Sequence, residues 1–116
     1  MRCDRVAMRL AAIAVSLVLD QGAVLAASAD KGKVAYMKFG CWGCHGTVGQ
    51  GGATGPQLAP DPMPVEAFVA FVRTTNRAMP PYHESVLSNE DLADIYAYMQ
   101  SIPKGPDHKS IPLLNQ

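Results

Sequence analysis

Apart from Cys3, the cysteines of this 116-residue chain are confined to one pentad, Cys41-Trp42-Gly43-Cys44-His45. Its spacing leaves little freedom. Residues three and four apart share one face of a helical turn, so both thiols can reach the two vinyl groups of a single haem while His45 carries its imidazole beneath the iron. A neutral imidazole ligates iron well and keeps its second ring nitrogen for an orienting hydrogen bond. The pentad thus points to one haem c, bound covalently through Cys41 and Cys44, with His45 as a metal ligand.

Three other chemistries of paired cysteines fit less well. A thioredoxin-like dithiol belongs at the end of a strand in a βαβ unit, and no strand-like alternation surrounds residues 30–50. Zinc asks for four ligands, and the only further histidines, His83 and His108, are not paired at ligand spacing. A Cys41–Cys44 disulfide would close a loop too short to stabilise much.

Arg2, Arg5 and Arg9 precede an apolar run from Leu10 to Leu19, and Ala27-Ser28-Ala29 ahead of Asp30 forms an A-x-A cleavage site, with Val24-Leu25-Ala26 an acceptable earlier one. Residues 1–29 therefore read as a secretory signal peptide that takes Cys3 with it, and export places the mature chain in the periplasm. The apolar run ends at Asp20 and Gln21, well short of the roughly 20 residues that span a bilayer, so no stable membrane span is expected after cleavage. Beyond residue 29, seven Lys and Arg face eight Asp and Glu, a balance that excludes nucleic-acid binding. So small a domain buries a modest core and needs a staple, which a covalent haem supplies.

Apolar periodicity predicts three main helices. Gly32, Ala35, Tyr36 and Phe39 share a face that leads into the pentad. The Gly- and Pro-rich stretch from Gly46 to Pro64 excludes long regular elements. Pro64 suits the first turn of a second helix with a stripe of Val65, Phe68, Val69 and Val72, which Pro80 and Pro81 prevent from continuing. Ser88 is a good N-cap for a third, with Glu90, Asp91 and Asp94 near its start, a stripe of Leu92, Ile95, Tyr96 and Met99, and a stop at Pro103 and Gly105. Residues 104–116 form a tail whose Ile111, Leu113 and Leu114 either dock on the domain or stay in solvent.

The order of these pieces resembles the small class I cytochrome c family. The likeness covers Asp30 to Pro103 and rests on Gly32-Lys33 with Tyr36 before the pentad, Gly55-Pro56-Gln57-Leu58, Met79-Pro80-Pro81-Tyr82, and the run from Leu92 to Met99. It implies an all-α domain at residues 30–103, three to four short helices wrapped round one haem. Met79, in a proline-bounded loop between helices, is the expected second iron ligand, with His83 and Met63 as competitors and core filling as its alternative role. In the matching family position the carbonyl of Pro56 accepts the N–H of the proximal imidazole. Arg73 is a candidate partner for a haem propionate, or else an exposed helix arginine. Tyr82, Trp42 and Tyr96 either shield the haem or fill the core.

The function expected is that of a periplasmic electron carrier, not an enzyme by itself, cycling iron between ferric and ferrous states between a dehydrogenase-type donor and a respiratory acceptor. Its partners would be redox proteins: a periplasmic dehydrogenase, a terminal oxidase or another cytochrome. Lys33, Lys38, Arg73 and Arg77 are cations available to steer an acidic partner. Two alternatives stand beside this. An open sixth position would give peroxidase-like or gas-sensing chemistry, for which His83 is the only nearby acid or base and Arg77 the nearest arginine. A permanent cytochrome subunit of a dehydrogenase complex would differ only in the lifetime of its partnership.

Overall fold

The structure is a computed structural model that describes residues 26–115, so the basic and apolar parts of the expected leader lie outside the described residues. Four helices follow one another: α1 (Ala29–Lys38), α2 (Trp42–His45), α3 (Val65–Thr74) and α4 (Asn89–Ser101). Among the described residues there is no strand. Two 3-10 turns, His108–Ser110 and Pro112–Leu114, shape the tail.

Helix α1 starts earlier than its apolar stripe because a polar residue starts it. Ser28 takes extended geometry and its hydroxyl accepts the amide of Lys31 at 3.3 Å, satisfying one of the unpaired donors of the first turn. Ser88 does the same for α4 through the amide of Asp91 at 3.0 Å. Pro64 stands just outside α3 as its cap rather than in its first turn. The expected stops hold: α3 ends at Thr74, before the Met79-Pro80-Pro81 loop, and α4 at Ser101, before Pro103.

The central contact is the crossing of α1 on α4. Gly32 is buried there, and a Cβ on it would collide with the carbonyl of Asp94 and stand 2.9 Å from Cβ of Tyr98. Only a glycine admits so close an approach. Beside it, Tyr36 and Tyr98 pack edge to face with ring centroids 5.5 Å apart. The buried carboxylate of Asp94 accepts the backbone N–H of Ser28, so α4 also holds the chain just before α1.

Helix α4 is buried over more of its circumference than one stripe would give. Leu92, Ile95 and Met99 line a cavity, while Tyr98 meets α1; Tyr96, placed by its periodicity in the core, is only half-buried. The reason is that α4 serves two neighbours on two faces. In the tail, Leu113 and Leu114 are 79% and 63% exposed, whereas Ile111 is half-buried.

Replacing Gly32 by alanine should lower the unfolding free energy of the haem-loaded protein by about 1–2 kcal/mol, because overpacking the crossing, at the upper end of its usual cost of about 3 kcal/mol, outweighs the roughly 1 kcal/mol that alanine contributes to helix propensity. A denaturant titration of variant and wild type checks it, and equal midpoints would contradict the crossing geometry.

Candidate functional site

The pentad is built as its spacing predicts. Cys41 caps α2, and the amide of His45 donates to the carbonyl of Cys41 at 3.0 Å, closing one helical turn that carries both sulfurs and the imidazole. Gly46, at φ 78°, ends the turn in a conformation that favours glycine. Both thiols are free. Cys44 is exposed, whereas Cys41 is partly covered and burial pushes its thiol up to about 11, so in the unmodified chain it is protonated at neutral pH.

The Gly- and Pro-rich loop serves the imidazole. Nδ1 of His45 lies 2.8 Å from the carbonyl of Pro56, so it is the nitrogen that carries the proton and donates, which leaves the Nε2 lone pair for a metal. Gly55 explains how the loop comes so close: a Cβ there would be 2.8 Å from Nδ1 and 2.9 Å from Cε1 of His45. The sequence assigned a role to Pro56 and none to Gly55, although the two are adjacent, because a close approach between segments leaves no mark on periodicity.

Four tyrosine hydroxyls donate to carbonyls of irregular backbone. Tyr36 reaches Gly46 at 2.7 Å, Tyr98 reaches Thr47 at 3.1 Å, Tyr82 reaches Phe39 at 2.8 Å and Tyr96 reaches Met63 at 3.0 Å. Burial, aided by Cys41 and Tyr98 nearby, lifts the Tyr36 hydroxyl to about 12, so it remains a donor at any ordinary pH. Burial also raises the Tyr82 hydroxyl, with Cys41 and Cys44 adding to the effect. These rings are thus loop anchors as well as core.

A cleft opens between these elements. One lobe, of about 690 Å³, is lined by His45, Pro56, Met63, Phe71, Arg77 and Met79, among others. The other, of about 70 Å³, reaches inward to Cys41, Tyr82, Leu92, Ile95 and Met99. Cys44, His45, Leu58, Phe68, Val72 and Met79 wall both, so the two are parts of one space. Its size suits a cofactor and its walls are mostly apolar.

These residues fit a haem. The imidazole offers Nε2, Cys41 and Cys44 are both among the lining residues, and Met79 is brought into both lobes from the loop after α3. Met63 lines only the larger lobe, and His83 is exposed and lines neither. Arg73 is placed differently from its expected role: Nη1 donates to the carbonyls of Tyr82 and Leu87 and Nη2 to Oδ1 of Asn89, all at 2.7 Å. The end of α3 aims it at the loop rather than into the cleft. Arg77, weighed above as a steering or distal group, is the arginine among the lining residues. Its position two residues before Met79 was the available signal.

Among the described residues, no three His, Cys, Asp or Glu side chains converge as a metal site, and no helix is long and apolar enough to cross a membrane. Residues 27–99 match the family model described as cytochrome c oxidase, cbb3-type, subunit III. No curated protein and no solved structure matches the chain.

Gly55→Ala should push the loop off His45 and weaken its hydrogen bond to Pro56. A less basic imidazole stabilises the ferric state less, so the reduction potential of the loaded variant should rise. A redox titration checks the sign, and an unchanged potential in a fully loaded variant would contradict the contact.

Proposed function

Since this chain belongs to the cytochrome c family, whose domains carry out haem-based electron transfer, we propose that it is an exported monohaem electron carrier with His45 and Met79 as its axial ligands. The observation that carries this reading is the cleft lined by both His45, from α2 with Nδ1 committed to Pro56, and Met79, from the braced loop after α3.

A bound haem supplies an iron that exchanges one electron between ferric and ferrous states. The chain does the rest. Cys41 and Cys44 would hold the group through thioether bonds, and the carbonyl of Pro56 fixes the imidazole plane and tautomer. Phe68, Val72, Leu92 and Ile95 keep water from the inner lobe, and a dry pocket with a thioether ligand favours the ferrous state. Arg77 at the larger lobe is the candidate for a propionate in place of Arg73. Exposed Cys44 and Trp42, the latter 47% accessible, mark the edge where a redox partner would dock briefly. A periplasmic dehydrogenase, a terminal oxidase or another cytochrome would be that partner.

The family description names an oxidase subunit, and this favours, as a second reading, a cytochrome held permanently in a larger oxidoreductase complex. Co-purification from a periplasmic extract separates the two. The open-site alternative has less support, since its only candidate acid or base, His83, stands outside the cleft.

The oxidised, matured protein is expected to show the weak methionine-to-iron charge-transfer band, and Met79→Ala to lose it and gain azide binding. A wild type without the band that binds carbon monoxide readily would overturn the carrier reading.

Cleavage after Ala26 fits the fold better than cleavage after Ala29. The later cut would remove Ser28, whose hydroxyl caps α1 and whose amide meets the buried Asp94. The intact mass of the exported protein should therefore correspond to a chain beginning at Ala27; one beginning at Asp30 would refute this.

A further inference from the structure

We infer that Arg73 is a positioning residue for Met79, a clasp that holds the ligand-bearing loop shut over the cleft. The inference rests on the reading of Met79 as the second axial ligand.

The loop from Thr75 to Ser88 has no regular hydrogen-bond ladder of its own, yet it must keep one thioether in place. Its two arms are gathered by one guanidinium. Nη1 takes the carbonyl of Tyr82, three residues beyond Met79, and that of Leu87, where the chain turns back toward α4. Nη2 takes Oδ1 of Asn89, the first residue of α4, whose Nδ2 donates in turn to Glu84 of the same loop at 2.7 Å. The amide of Tyr82 closes the set by donating to the carbonyl of Val72 at 2.9 Å. So α3, both arms of the loop and the start of α4 meet at a single side chain. A planar fork with several fixed donors can bridge such divergent acceptors, and an ammonium on a flexible stem cannot. Without it, two carbonyls and a side-chain amide lose a charged partner, and the arm of the loop that begins three residues beyond Met79 gains freedom.

Loop opening and ligand loss are one equilibrium, so an external ligand reports it. The test uses the full-length, matured, haem-loaded ferric protein titrated with imidazole, followed by the methionine-to-iron band. Arg73→Met is expected to bind imidazole at least about tenfold more tightly than wild type, since one hydrogen bond from a charged group is worth a decade or more in an equilibrium. Asn89→Ala, which removes only the outer link, is expected to give about threefold. Ser101→Ala is the control: it cuts a 2.7 Å hydrogen bond to the carbonyl of Tyr98 at the end of α4, outside the cleft and this loop, and should leave imidazole affinity within twofold of wild type. An Arg73→Met protein that is less stable yet binds imidazole no better than Ser101→Ala overturns the proposal, leaving Arg73 merely structural. If Arg73→Met does not mature, Asn89→Ala decides, and wild-type affinity there overturns it. A wild type that lacks the band, or a Met79→Ala protein that keeps it, instead refutes the ligand reading, whatever Arg73 does.

Discussion

The close crossing of α1 on α4 is the contact from which the rest of the domain hangs. Gly32 lets the α1 backbone reach the carbonyl of Asp94, and that approach sets the Tyr36 and Tyr98 rings edge to face. Each hydroxyl then points past the crossing to the two carbonyls that follow the pentad, Gly46 and Thr47. The imidazole of His45 is thereby located from behind by a pair of helices and from the front by Gly55 and Pro56. A domain of this size has few other ways to make a rigid point from short elements, because its helices are too brief to be stable alone.

Much of the chain that borders the cleft is irregular, and irregular backbone needs partners wherever it leaves water. The solution is distributed. Tyr82 ties the Met79 loop to Phe39 at the end of α1, Tyr96 ties Met63 to α4, and Arg73 gathers Tyr82, Leu87 and Asn89. Tyr96 and Arg73 reach out from helices and Tyr82 from the loop itself, and each meets a carbonyl far from it in sequence or across a turn. No side-chain polar atom buried among the described residues lacks a partner. The loops are accordingly held by the helices, and with them the side chains that wall the cleft.

How much of this the sequence disclosed depends on the range of the interaction. The pentad is a single turn, so its types and spacing carry its chemistry in full; the three main helices announce themselves by caps, stripes and prolines that act within a few residues. That Met79 stands in a loop between two helices was legible because prolines bound that loop, and the structure sets it at the cleft. Tyr98 was not, because it packs on a second face of α4 that only the presence of α1 defines. Gly55 and Gly32 are small because another segment comes within reach, a fact about two places in the chain and so invisible at either one. The acceptors that Arg73 meets were hidden for the same reason: a helix-end arginine says that a charge is present and not which way the loop beside it folds. The matching of residues 27–99 to a cytochrome c family agrees with the short-range signals and is silent on these long-range ones.

The core and the wall of the cleft are largely the same side chains. Tyr36, Phe68, Val72, Leu87, Leu92, Ile95 and Met99 are all buried, and all of them line the inner lobe. What remains for a core that excludes the cleft is small, chiefly Ala35, Ala59 and Tyr98. In a chain this short, the apolar area available to oppose the entropy of folding is therefore concentrated on the surface that faces the cofactor. A flat apolar body seated there would convert half-open wall into closed interior, at about 25 cal/mol for each Å² withdrawn from water. Stability and redox chemistry are consequently governed by one set of contacts: any substitution that loosens the helices around the cleft also changes how dry the iron is, and the two effects belong together for every one of these residues.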